Sequence, residues 1–170
     1  MQRVVVGTTV QPKAIAHPTD ARLTHKSIEK LVAFAVENSV KLRQSYVRVP
    51  KFAALMVGRY LNAKQHKRAN AKLKFLRVRL NRLIRDIRRK IEGTVEVEAK
   101  FAPLSSLVVK VRHQDHRQRG QKLYALHAPE VECIGKGKAR TPDEFGCKVS
   151  IATPASKSRA VTSIRVVGGI

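Results

Sequence analysis

Tryptophan is absent, and the aromatic residues amount to five Phe and three Tyr in 170 residues. A core must therefore be built mainly from aliphatic side chains. Only two cysteines occur, Cys133 and Cys147. They make no disulfide framework and are not spaced as a CxxC pair, so a reduced, cytoplasmic setting is expected. Long apolar runs are missing too. The longest, Val32–Val36 and Phe52–Val57, fall far short of the roughly 18 residues of a membrane helix. Met1–Val10 holds one Arg and a single Val4-Val5-Val6 triplet, too short an apolar stretch for a signal peptide. Acids are scarce: Asp plus Glu number 12 against 35 Lys plus Arg, which leaves a net charge of +23.

That imbalance is the strongest signal in the sequence. A domain so charged repels itself unless an anionic partner relieves the field. Nucleic acid is the usual partner of such a chain. A membrane surface fits less well, because the basic stretch lacks a large apolar face with aromatic anchors. Hydrophobic residues make up 43% of the chain, enough for a folded protein.

Three regions separate by pattern. Residues 3–11 contain Val4-Val5-Val6 and Thr8-Thr9-Val10, a β-branched run that predicts a buried strand stopped at Pro12. Residues 19–92 predict helices. Thr19 or Asp20 can cap the first, and Leu23, Ile28, Leu31, Val32, Ala35 and Val36 follow at helical spacing before Asn38-Ser39. A second helix is expected to begin near Pro50. The clearest runs from Ala69 to Ile91, where Leu73, Leu76, Leu80, Leu83, Ile87 and Ile91 form an apolar stripe. Arg88, Arg89 and Lys90 suit its C-terminal dipole, and Gly93 can supply a left-handed closing residue. Residues 94–153 read as strands and turns, from Val95, Val97, Leu107–Val109, Val111 and the alternating Phe145–Ala152. Pro154–Ile170 shows no clear period.

Chemistry concentrates in the helical region. Between Arg59 and Ile91 the cations are Arg59, Lys64, Lys67, Arg68, Lys72, Lys74, Arg77, Arg79, Arg82, Arg85, Arg88, Arg89 and Lys90, and Asp86 is the one acid. A solvated helix face normally mixes Glu with Lys, because like charges at i, i+4 repel. A face nearly free of acids is read instead as a phosphate-binding surface, one that positions nucleic acid without reading its bases. Arg59, Lys64, Lys67, Arg68, Lys72, Arg77, Arg82, Arg85, Arg88 and Arg89 are the candidate DNA-binding residues.

Other constellations carry less. His113 and His116 are spaced for two metal ligands, but Arg112, Arg117 and Arg119 around them oppose a dication. Gly135-Lys136-Gly137-Lys138 lacks the Walker spacing and reads as a basic turn. Glu130 with Glu132 and Asp143 with Glu144 are local pairs, whereas two-metal chemistry needs carboxylates converging from separate strands. No metal site is assigned for these reasons, and no nucleophile elbow occurs.

Several stretches, taken together, resemble a known family. They are Val4–Ile15, His17–Leu23, Gly58-Arg59-Tyr60, Lys64-Gln65, Lys67–Asn70, Ile84–Ile91, Leu123-Tyr124, Leu126–Lys138 and Glu144-Phe145-Gly146. In order and without gaps from about Val4 to Thr153, they resemble bacterial insertion-sequence transposases of the DDE type, the IS-five group. The resemblance implies an α/β chain with a partial RNase H-like fold: a short N-terminal strand, a long basic helical region, C-terminal strands and an incomplete sheet. It also implies a family chemistry in which two Asp and one Glu hold magnesium ions that serve DNA nicking and strand transfer.

The chain departs from that pattern. The first family Asp is replaced by Gly7, and the match ends near Thr153, before the later Asp and Glu. Residues 154–170 are then expected to be a divergent, disordered or frameshifted tail, and the family's segment before the first Asp is expected to be missing. Asp143 stands where the family tends to have an aromatic residue. With no triad member present, the chain is expected to bind DNA phosphates without catalysis and to need no cofactor. Its isolated sheet is expected to be poorly stable, with an unpaired edge. Composition alone also fits an RNA-binding protein of the ribosomal kind.

Overall fold

The computed structural model describes residues 4–115, 118, 122–135, 143–154 and 163–167. The architecture is mixed α/β, with four helices and a small antiparallel sheet among the described residues. The chain divides into two compact units, one of residues Pro18–Arg119 and one joining Met1–His17 to Gly120–Ile170.

The first unit is helical: α1 (Asp20–Glu37), α2 (Arg48–Asn62), α3 (His66–Ile91) and α4 (Val95–His113). The Thr19 Oγ1 accepts the Arg22 N–H at 3.3 Å and caps α1. Buried Thr24 and Ser27 donate their hydroxyls to the Asp20 and Leu23 carbonyls one turn back, so neither hydroxyl is stranded. Pro50 sits in the first turn of α2, where its missing N–H costs nothing. Gly93 follows α3 at φ +88°, a conformation glycine reaches without a Cβ clash.

Helix α3 is the spine of this unit. Its Leu80, Leu83, Ile84, Ile87 and Ile91 pack with Ile28, Leu31 and Ala35 of α1 and with Phe101 and Val108 of α4. Nearer its start, Ala69 and Leu76 pack with Ala21 of α1 and with Ala53 and Val57 of α2. The buried members of both clusters are aliphatic apart from Phe101, whose edge-to-face partner Phe34 lies with centroids 4.7 Å apart.

Helix α4 corrects the expectation of strands over residues 94–113. Its valines are β-branched, but Val97, Phe101, Leu104, Val108 and Val111 recur at spacings of four and three, a helical stripe. Glu96 and Glu98 lie in the first turn, and Lys110, Arg112 and His113 in the last, as the helix dipole favours. The Glu98 carboxylate also accepts the Gly93 N–H at 2.9 Å. Burial of Phe101, Val108 and Val111 overrides both the low helix propensity of valine and the internal Pro103.

The second unit carries β1 (Val4–Pro12), β2 (Glu132–Gly135), β3 (Asp143–Pro154) and β4 (Ser163–Val167). Strand β3 is central, and all its pairings are antiparallel. One edge takes β1, with Gly7 opposite Ile151. The other edge takes β2 opposite Asp143–Gly146 and β4 opposite Lys148–Ala152. A small cluster of Ala125, Ala128 and Val131 packs with Ile15, Tyr124 and Phe145.

Two expectations change in this unit. Strand β1 is not buried: Val5 is 58% exposed and Val6 67%. Valine favours the extended backbone whether or not it is covered, so a β-branched run alone does not establish burial. Within the expected disordered tail, Ser163–Val167 forms β4, because Ile164, Val166 and Val167 supply β-propensity and β3 offers a free edge.

Gly146 is required where it stands. A Cβ there would lie 2.2 Å from the Gln11 carbonyl oxygen and 3.0 Å from the Pro12 Cα, both backbone atoms. Gly146→Ala is expected to push β1 off β3 at a cost of roughly 1–3 kcal/mol. Hydrogen–deuterium exchange resolves this: the β1 amides should exchange faster while those of α3 keep their protection.

Candidate nucleic-acid interface

Helix α3 separates its residues cleanly. At 100° per residue, buried Leu76, Leu80, Leu83 and Ile87 define one side. On the opposite side Lys67, Lys74, Arg82, Arg85 and Arg89 are all exposed. At 1.5 Å per residue, Lys67 to Arg89 spans about 33 Å, close to the ~34 Å of one turn of duplex DNA.

The other candidate residues distribute around this stripe. Arg59 is exposed in the last turn of α2. Lys64 is exposed in the turn between α2 and α3, at φ +56°. Arg68 is exposed and donates to the Gln65 Oε1 at 3.0 Å. Lys72 lies half-buried on the flank of α3, and Arg88 is exposed near its end.

Arg77 stands apart from the set. Its guanidinium pairs with Asp20 at 3.5 Å and Asp115 at 3.9 Å, and donates to the Gln114 carbonyl at 3.0 Å. It ties α1, α3 and the end of α4 together, and the acids that hold it also neutralise it. Its role is structural, and sequence reading missed this because Asp20 and Asp115 lie far from it in the chain. Arg79 is also occupied, with its guanidinium carbon 4.2 Å from the Phe75 ring centroid and 5.7 Å from that of Tyr46.

Sequence reading also missed Arg43. The segment between α1 and α2 lies against α3, where the Arg43 backbone N–H donates to Asp86 Oδ2 at 2.9 Å. Lys90 pairs with the same carboxylate at 3.5 Å and donates to the Lys41 carbonyl. The acid that interrupts the basic run is thus spent on fixing this segment. A cavity of about 390 Å³ opens beside it, walled by Arg43, Tyr46, Arg82, Arg85 and Arg89 and floored by Leu83. Nothing in the sequence pattern signals this groove, since it depends on where the segment folds.

His25 is perturbed by its surroundings. Its Nε2 is buried without a hydrogen-bond partner, and the Glu29 carboxylate at 3.6 Å is too distant to supply one. Burial lowers its pKa below the ordinary 6.5, and the attraction of Glu29 only partly offsets this. The unfolded chain therefore binds the proton more readily than the folded one. The stabilising effect is complete above about pH 6.5 and is lost as the pH falls toward the lower folded value. His25→Gln is expected to flatten the fall in melting temperature between pH 7 and 5.

The acids of the second unit form no metal-binding constellation. Glu130 pairs with Lys13 at 2.6 Å, which lowers the pKa of the carboxyl and raises that of the amine. Glu132 faces Lys148 at 3.8 Å. Burial first, then Asp143, pushes the Cys133 thiol up, so it is no activated nucleophile. Among the described residues no three His, Cys, Asp or Glu side chains gather to hold a metal. His116 and Lys136–Lys138 lie outside the described residues. Among the described residues no helix is long and apolar enough to cross a membrane.

Gly7 needs no glycine. A Cβ there would meet nothing within 4 Å, so the backbone leaves room for a side chain to start. The neighbouring acids are far away, however. Glu132 is opposite Gly146 and Glu144 lies further along β3, whereas Gly7 is opposite Ile151. At about 3.4 Å per residue these offsets are roughly 17 and 24 Å.

Known proteins add one partial likeness. A 65-residue stretch, 38% of this chain, is 54% identical to an uncharacterized protein of Rhizobium meliloti, ORF8 in the nfe locus. The matched stretch is 31% of that relative, so this chain spans about a third of the relative's length. No family model matches the chain. No solved structure matches it.

Proposed function

We propose that this chain belongs to the lineage of insertion-sequence transposases of the DDE type, and that it holds DNA by its phosphates without cutting it. The observation that carries the binding half is the exposed stripe of Lys67, Lys74, Arg82, Arg85 and Arg89, about one duplex turn long. It projects guanidinium and ammonium groups with little competition from acids, because Asp86 is already engaged. Phosphate attraction of this kind is sequence-independent and persists without a metal site.

The lineage rests on the ordered resemblance from Val4 to Thr153. The RNase H-like part of that reading rests on the resemblance; Gly7 lies in the middle of β1, which pairs antiparallel with β3. In intact relatives magnesium would supply activation of water and stabilisation of both reacting oxygens. The residues present do not fit that ion. Gly7 offers no oxygen, and the carboxylates of β2 and β3 lie roughly 17 Å or more away along the sheet.

The test is a supercoiled plasmid incubated with the full chain and magnesium. The expected result is retardation of the plasmid with no nicked or linear product. Gly7→Asp is expected to fold normally and still not nick, since one carboxylate cannot make the site. Magnesium-dependent nicking by either protein would refute the loss of catalysis, and an unretarded plasmid would refute the binding.

A further inference from the structure

The groove beside α3 has features that a general phosphate-binding surface does not require. Arg82, Arg85 and Arg89 line it from one face of α3, while Arg43 approaches from the segment between α1 and α2. Among the described residues the guanidinium groups of Arg43, Arg82 and Arg85 have no carboxylate in ion-pair contact. Four cations therefore converge on one cavity, and its only acid, Asp86, is committed to the Arg43 backbone and to Lys90. Such convergence is unfavourable unless an anion enters. Guanidinium groups present paired donors that match phosphate oxygens.

The wall adds a second feature. Tyr46 is among the residues lining the cavity and is held at φ +51°, a left-handed conformation that costs a bulky residue energy. It is kept there by packing on the main core and by Arg79 near its ring. An aromatic wall beside an arginine cluster is the combination that receives an unpaired base together with its phosphate. A base inside a duplex is stacked on its neighbours and does not offer its face. A cavity of about 390 Å³ falls within the range of small-ligand sites.

We propose that this groove seats one nucleotide of an unpaired DNA strand, with its phosphate on Arg43, Arg82, Arg85 and Arg89 and its base against Tyr46. The inference rests on the DNA-binding reading above and adds to it a preference at this one place for single-stranded over paired DNA.

The experiment compares two variants of the full chain that lose equal charge. One is Arg43→Gln with Arg82→Gln, in the groove. The other is Lys67→Gln with Lys74→Gln, on the stripe but outside the groove. All four residues are exposed, and circular dichroism checks that both variants keep their helices. Anisotropy is read with a labelled single-stranded oligonucleotide and with its duplex. The groove variant is expected to weaken single-strand binding roughly tenfold more than the stripe variant, while it weakens duplex binding no more than the stripe variant does. Tyr46→Asn, which tolerates the left-handed backbone, is expected to weaken the single strand and spare the duplex. Equal losses in both variants with both probes, or no single-strand binding by the unaltered chain, would overturn the groove and leave the DNA-binding reading standing. Failure of the unaltered chain to bind either probe would overturn both.

Discussion

Raising the salt from 50 to 200 mM is expected to weaken binding of the full chain to duplex DNA by about 10³ to 10⁵. The estimate takes about 6 to 10 phosphate contacts. Arg59, Lys64, Lys67, Arg68, Lys74, Arg82, Arg85, Arg88 and Arg89 are all exposed and available for that number. Each contact releases condensed counterions from the duplex, so the logarithm of affinity falls linearly with the logarithm of salt. Arg77 is not counted, because Asp20 and Asp115 already pair with it. Arg77→Gln should consequently leave the salt slope nearly unchanged, whereas Arg85→Gln should make it shallower by about 0.9. Sequence tolerance follows from the same chemistry: duplexes of different sequence should give the same slope. An anisotropy titration that is flat in salt would remove the electrostatic basis of the proposal.

Phe101→Ala is expected to cost about 3–5 kcal/mol, enough to unfold a marginal helical unit at ordinary temperature. Phe101 is only 1% exposed and stands where α1, α3 and α4 meet, edge-on to Phe34. The surrounding side chains are Leu, Ile and Val held by three helices, so the space left by the ring cannot collapse fully. Urea denaturation followed by helical circular dichroism measures the loss. A cost below about 1 kcal/mol would mean that α4 is not docked on α3 as described. The same variant should also weaken DNA binding, because the exposed stripe depends on α3 keeping its inner side packed.

Helix α1 was legible because two signals agree there: a capping threonine and an apolar period that ends at Asn38. Helix α3 was legible because six of its apolar residues fall on one stripe. Helix α4 was not, because its valines and Pro103 argue locally for strand and turn. Its stripe becomes decisive only when Phe101 and Val108 find α3. The same blindness affected β1, where valines stand for extended backbone but not for burial. Strand β4 depends on an edge of β3 that no local pattern announces.

For the candidate interface, the run of cations and the scarcity of acids were plain in the sequence. The division of those cations was not. Arg77 is withdrawn by acids distant in the chain, Arg79 by the rings of Phe75 and Tyr46, and Arg43 is added by a segment that Asp86 pins to α3. Each of these depends on a tertiary contact, which spacing along the chain does not encode. Gly7 is the reverse case. The resemblance places a family Asp at this position, and the open space around Gly7 shows that no backbone requirement explains the glycine.

The most direct measurement is to identify the nucleic acid that the full chain holds inside the cell, by crosslinking, sedimentation and sequencing of the bound material. The expected result is chromosomal DNA without a shared sequence, released from the chain as salt is raised. Co-sedimentation with ribosomes that survives high salt, with ribosomal RNA as the crosslinked species, would contradict it.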